Sequence, residues 1–211
     1  MTAILTQIGN LRIVPVIALD SAADASPLAD ALVAGGLPIA EVTFRTAAAA
    51  ESISIMAKRG DLLVGAGTVL NVDTVKRAVD CGAKFIVSPG FNPKVVSYCV
   101  ANQIPITPGT ATPSDIEAAL DHGLTMVKFF PAEALGGLKL LKAVSAPYSM
   151  MNFMPTGGIT PGNMCEYFKL SNVFAIGGSW MVTKEMLAGK QFALITDLTA
   201  EAVRLAKLAR P

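Results

Sequence analysis

The chain has 211 residues, 52% of them hydrophobic, with seventeen Lys and Arg against sixteen Asp and Glu. That length allows one large core, and a net charge of +1 argues against the basic field of a nucleic-acid binder or the acidic tail of a solvating segment. The longest uncharged stretch, residues 143–165, is interrupted by Pro147, Pro155, Pro161, Gly157, Gly158 and Gly162, so it does not read as a membrane-spanning helix.

The N-terminal "MTAILTQIGNLR" has no basic region ahead of an apolar run, so no secretory signal is expected and the cytoplasm is the expected location. A helix is predicted from roughly Thr2 to Gly9, followed by a strand over Arg12–Leu19. Further strands are predicted over Ile39–Phe44, Leu62–Thr68, Phe85–Pro89, Pro105–Pro108, Met126–Phe130, Asn152–Pro155 and Val173–Ile176, with helix-length amphipathic runs between them. Gly35, Gly60, Gly82 and Gly123 each follow a helical run and suit left-handed caps. Thr112-Pro113-Ser114-Asp115 supplies an N-cap, a proline at the first helical position and an acid in the first turn. The last helix is predicted from about Phe192 to Ala209.

Eight strand–helix units without a linker predict an α/β fold: a single-domain (β/α)₈ TIM barrel over residues 1–211, with an extra N-terminal helix. An open doubly wound sheet is the alternative topology. Cys81, Cys99 and Cys165 show no CxxC spacing and read as buried free thiols. The one histidine, His122, sits where a helix ends at Gly123. One histidine cannot supply a two- or three-histidine zinc site, so no metal and no cofactor are expected.

The chemistry is expected at the strand ends. In "IAEVTFRTA", Glu41, Thr43 and Arg45 alternate with Val42 and Phe44, which points the three polar side chains to one face. In "MVKFF", Lys128 interrupts an apolar strand, where an ammonium is either carried out to water or used. A buried amine beside a cation holds its proton less tightly and becomes a better nucleophile for a carbonyl; holding a phosphate as a plain cation is the alternative role for Lys128. Glycines crowd the strand ends in "VGAGTVL", "VSPGF", "TPGT", "MPTGGI" and "AIGGSW". Barrels often bind phosphate after their last two strands, which makes Gly157, Gly158, Gly178 and Ser179 phosphate-site candidates. An amine, a carboxylate, an arginine and a phosphate pocket together suit a small phosphorylated 2-oxo acid.

The motifs "EVTFRT", "VGAGTVL", "SPGF", "KFFPAE", "PTGGI" and "IGGSW", in this order and spacing, resemble the 2-keto-3-deoxy-6-phosphogluconate (KDPG) and 4-hydroxy-2-oxoglutarate (KHG) aldolase family. The similarity runs from "VPVIAL" to the final helix. It implies a class I, Schiff-base aldolase of sugar-acid catabolism, usually a homotrimer. Carried over by position, Lys128 is the imine-forming lysine and Glu41 the acid/base. The same carry-over gives Arg45, Thr68, Pro89 and Phe130 contact with substrate, makes Thr156 the reader of substrate stereochemistry, and puts Gly157, Gly158 and Ser179 at the phosphate. Leu135, in "PAEALGG", stands where the family pattern leads us to expect a polar residue. A 6-phosphogalactonate aldolase, or a phosphate-binding barrel without aldolase activity, are the rival readings.

Overall fold

Strands form here where β-branched and apolar residues run together, and helices where apolar positions recur every three to four residues between caps. The structure, a computed structural model, describes residues 3–209. Helix α1 (Ala3–Leu11) precedes β1 (Ile13–Ile17); Thr2, where that helix was expected to begin, lies outside the described residues. The chain continues through α2 (Ala25–Ala34), β2 (Ile39–Thr43), α3 (Ala49–Arg59), β3 (Leu63–Gly67), α4 (Val72–Asp80), β4 (Phe85–Val87) and α5 (Pro93–Ala101). It then runs through β5 (Ile106–Thr107), β6 (Gly109–Thr110), α6 (Pro113–Asp121), β7 (Met126–Phe129), α7 (Gly137–Ser145) and β8 (Asn152–Pro155). Helix α8 (Met164–Phe168), β9 (Ile176–Gly178), α9 (Lys184–Ala188) and α10 (Phe192–Ala209) complete it.

All strand pairings are parallel. One sheet has the order β5-β4-β3-β2-β1-β9 and the other β6-β7-β8. Single bridges, Phe153 to Val173 and Thr156 to Gly177, link the third strand of the second sheet to the end of the first. Every residue of β2, β3 and β7 is buried, as expected of parallel strands covered on their outer face by helices. The result is an α/β fold with a curled parallel sheet. One hydrophobic cluster reaches from Ile8 to Ala206, so the described residues form one domain. Phe85, Phe129 and Phe153 are among its largest fully buried side chains, each contributing about 1.5–3 kcal/mol of burial free energy.

Three local expectations are corrected. The fifth predicted strand divides at Pro108, which has no N–H for the ladder. Residues 106–107 pair with β4 and residues 109–110 with β7, while the Pro108 carbonyl still accepts from Lys128 N–H at 2.9 Å. The last strand lies later than Val173–Ile176: only Val173 bridges, and the ladder proper is Ile176–Gly178 against β1. The left-handed cap of α2 falls on Gly36, at φ +80°, and not on Gly35. Gly35 instead lets α10 come close, because a Cβ there would lie 2.6 Å from Thr199 Cβ.

Other local readings hold. The Thr112 hydroxyl accepts from Asp115 N–H at 3.3 Å, while the Asp115 carboxylate accepts from Thr112 N–H at 3.0 Å. This reciprocal capping box fixes the start of α6. His122 caps the end of the same helix, its ring nitrogens 2.8 Å from the Ala118 carbonyl and 3.2 Å from the Ser97 hydroxyl. All three cysteines are free, but only Cys99 is buried; Cys81 and Cys165 are half-exposed. Burial pushes the Cys99 thiol up to about 12, so it stays protonated and unreactive.

Candidate active site

The site begins with the alternation in β2. Glu41 shares a sheet face with its register partners Val16 on β1 and Gly65 on β3. That face points inward, and Glu41 is 1% exposed. Its space is made by Gly67, where a Cβ would lie 2.7 Å from Glu41 Cγ. Thr43, two residues on, turns its hydroxyl to the Ile17 carbonyl at 2.8 Å and ties β2 to β1.

Lys128, in β7 between register partners Gly109 and Met154, points into the same interior. It is not carried out to water, being only 4% exposed. Its Nζ lies 3.8 Å from Glu41 Oε1 and 4.8 Å from the centre of the Phe130 ring. The first distance allows ion pairing but is too long for a hydrogen bond, and both Glu41 oxygens are buried without a hydrogen-bond partner. Attraction at this separation is worth about 4 kcal/mol at the effective dielectric of protein sites. Desolvation of two ions costs several kcal/mol each, so the pair contributes little to stability. Two under-satisfied ionisable groups held beside one another in the interior make this the candidate functional site.

Beside this pair, across the Phe130 ring that Lys128 Nζ meets, lies a cavity of about 460 Å³, lined by Arg45, Phe130, Thr156, Gly157 and Ser179 among the residues expected from sequence. Arg45 Nε donates to the Thr68 hydroxyl at 3.2 Å, which brings those two together at the rim. Thr68 adopts φ +55°, unusual for a β-branched residue, at the turn out of β3. Thr156 is buried, with its hydroxyl donating weakly to the Met154 carbonyl at 3.3 Å. Gly157 and Gly158 follow at φ +96° and +80°, which few other residues adopt. Their N–H groups, like that of Ser179, donate to no backbone carbonyl among the described residues.

Lys128, Glu41, Pro89, Thr68, Gly158 and Gly178 do not line the cavity itself; Lys128 adjoins it through the Phe130 ring. Pro89 packs its carbonyl against Gly109, the register partner of Lys128, and so sits beside the strand next to β7. Gly178 lies within β9, opposite Pro15, and a Cβ there would run into the Trp180 ring. Close packing therefore explains Gly178 without a ligand. Sequence reasoning missed Val16 and Ala18 at the end of β1, and Val182, Thr183, Lys184 and Glu185 before and within α9. Thr183 caps α9 by accepting from Met186 N–H at 3.3 Å, and a threonine ahead of "KEM" was the available signal. Leu135 is exposed in the turn after β7 and does not reach the cavity.

A curled parallel sheet carrying a buried lysine–carboxylate pair beside a cavity is an arrangement suited to chemistry on a carbonyl substrate. The family model for KDPG and KHG aldolase matches residues 4–198, and the chain belongs to that family and is an aldolase. It is 47% identical over 205 residues to the 2-dehydro-3-deoxy-phosphogluconate aldolase of Haemophilus influenzae, covering 97% of each chain. It superposes on the 2-keto-3-deoxy-6-phosphogluconate aldolase of Zymomonas mobilis ZM4 with 3-phosphoglycerate, at TM-score 0.90 and 41% identity over 95% of each chain. The KDPG aldolase of Legionella pneumophila, captured with pyruvate as a covalent carbinolamine, superposes at TM-score 0.92 and 38% identity, over 96% of this chain and 98% of that one.

Proposed function

We propose that the chain is a class I aldolase that reversibly cleaves 2-keto-3-deoxy-6-phosphogluconate to pyruvate and glyceraldehyde 3-phosphate, with 4-hydroxy-2-oxoglutarate as a slower substrate. The observation that carries this reading is the buried Lys128–Glu41 pair at 3.8 Å beside the cavity. Lys128 Nζ attacks the C2 ketone, and loss of water gives an iminium that draws electrons from the C3–C4 bond. Glu41 removes the C4 hydroxyl proton, the bond breaks, and the aldehyde leaves. The enamine takes a proton at C3 from Glu41, and hydrolysis of the iminium frees pyruvate and the lysine. Arg45, with its planar fork at the rim, grips the substrate carboxylate, and Thr68 orients it. Phe130 covers the reacting carbons, while Pro89 backs the strand next to β7. The phosphate end lies at Gly157, Gly158 and Ser179, whose backbone donors suit an anion.

The isolated bridges Phe153–Val173 and Thr156–Gly177, and the continuity of β5 with β6 through Pro108, support reading the sheet as a closed (β/α)₈ barrel with α1 as an extra N-terminal helix. The family resemblance carries a homotrimer and a cytoplasmic location as further parts of the proposal; no described helix is long and apolar enough to cross a membrane.

Cleavage is tested by incubating the purified protein with KDPG and following pyruvate through a coupled reductase. The rate is expected to persist in EDTA. The chain has one histidine, and no three His, Cys, Asp or Glu side chains group together among the described residues, so ligands for a carbonyl-polarising zinc are lacking. Activity lost in EDTA and restored by zinc would contradict the imine route.

Thr156 is the residue to separate the gluconate from the galactonate substrate, which differ in configuration at C4. Its hydroxyl holds only a long bond to Met154, and the residue lines the cavity. A hydroxyl matched to one epimer disfavours the other by about 1–3 kcal/mol, or roughly five- to 150-fold. Thr156→Val keeps the shape and is expected to erase most of that preference while leaving imine formation with pyruvate intact. The kcat/KM ratio for the two epimers decides it; a ratio unchanged by the substitution removes Thr156 from the selectivity.

A further inference from the structure

The turn at Gly157 and Gly158 has no regular secondary structure to hold it, yet it is fastened on both sides. On one side Asn163 Nδ2 donates to the Gly158 carbonyl at 3.0 Å, while its Oδ1 accepts from Thr160 N–H at 2.8 Å. On the other side stands Glu133, five residues after Lys128 along the same chain segment. Its N–H donates to the Gly157 carbonyl at 3.0 Å, and its stem covers Gly158 so closely that a Cβ there would lie 2.6 Å from Glu133 Cβ.

The Glu133 carboxylate does not simply trail into solvent. It accepts a short hydrogen bond from the hydroxyl of Tyr167 on α8, a residue 1% exposed and among the largest fully buried side chains. Burial, reinforced by the carboxylate, pushes the Tyr167 phenol up, so it remains a donor at any working pH. Gly137, at φ +58° where α7 begins, leaves room for the pair: a Cβ there would lie 2.8 Å from Glu133 Oε1 and 3.3 Å from the Tyr167 hydroxyl. One residue thus joins the loop after β7, the turn after β8 through its backbone and stem, and helix α8 through its carboxylate.

A surface glutamate bonded to a buried tyrosine would serve fold stability alone if it touched nothing else. Here its backbone and stem grip the two residues at which the functional reading seats the phosphate, and the segment it belongs to follows β7, the strand that carries the lysine. We propose that Glu133 and Tyr167 are positioning residues that hold the Gly157–Gly158 turn at the distance from Lys128 required by a phosphorylated 2-oxo acid. The inference rests on the aldolase reading above. Neither residue touches substrate. Their effect is to keep the phosphate donors in place before the substrate arrives, a pre-organisation that appears in binding more than in turnover.

The test compares KDPG with 2-keto-3-deoxygluconate, the same sugar acid without its phosphate, in Glu133→Ala, Glu133→Gln and Tyr167→Phe. For KDPG, Glu133→Ala and Tyr167→Phe are expected to raise KM by about five- to fifty-fold with kcat changed by less than about threefold. The kcat/KM for the unphosphorylated acid is expected to stay within about twofold of the wild type. Glu133→Gln retains an oxygen that can accept from Tyr167, so it is expected to recover most of the KDPG affinity; this rescue separates positioning from a requirement for charge. Equal losses on both acids, or an unchanged KM for KDPG, would overturn the proposal. Should Tyr167→Phe be poorly folded, Glu133→Ala, at an exposed position, decides alone. Failure of the wild type to form an imine with pyruvate would instead overturn the aldolase reading, so the two failures are distinguishable.

Discussion

Lys128→Met is expected to abolish KDPG cleavage, by roughly 10⁴-fold or more, while the far-UV spectrum and cooperative melting remain. The size of the effect follows from the role: without the amine there is no iminium, and no other group in the site can accept the electrons of the C3–C4 bond. Methionine keeps most of the stem that fills the interior between Met154 and Phe130, so the packing of β7 survives. The exchange removes a buried cation and leaves Glu41 without its partner at 3.8 Å. Turnover by the methionine variant at more than a few per cent of the wild-type rate would show that Lys128 is not the nucleophile.

The second large effect is expected at Glu41. Glu41→Gln preserves volume in a slot closed by Gly67, but removes the acceptor for the C4 proton. General acid–base assistance is typically worth about 10²–10⁴-fold, and kcat should fall by that factor. Imine formation with pyruvate should survive more slowly, because the amine is still present and still buried. This dissociation of trapping from cleavage is what distinguishes a proton-transfer residue from one that merely holds Lys128 in place. A kcat within about threefold of the wild type would remove Glu41 from the proton path.

Much of this was legible in the sequence because local periodicity carried it. Glu41, Thr43 and Arg45 alternate with apolar residues, and that alone sent the carboxylate inward and the guanidinium to the rim. Lys128 was conspicuous because a charged residue stood in a buried strand. The last helix, Phe192–Ala209, lies where its helix-length amphipathic run predicted it. Where glycines had two physical uses, sequence could not choose between them. Gly177 and Gly178 read as a loop, yet they lie in β9 because Thr156 and Trp180 pack where their Cβ atoms would be. Gly35 read as a cap, yet it is the seat for α10. The cavity wall at Lys184 and Glu185 and the Glu133–Tyr167 brace were also invisible. The latter joins residues 34 apart, and no local pattern encodes such a pairing.

The central claim is that Lys128 forms an imine with the 2-oxo acid. Its most direct measurement is reduction with borohydride in the presence of pyruvate, followed by mass mapping of the digested protein. One reduced pyruvyl group should be found, on the peptide containing Met126-Val127-Lys128-Phe129-Phe130, with accompanying loss of activity. Modification of a different lysine, or a protein left unmodified and still inactivated by borohydride alone, would contradict the account.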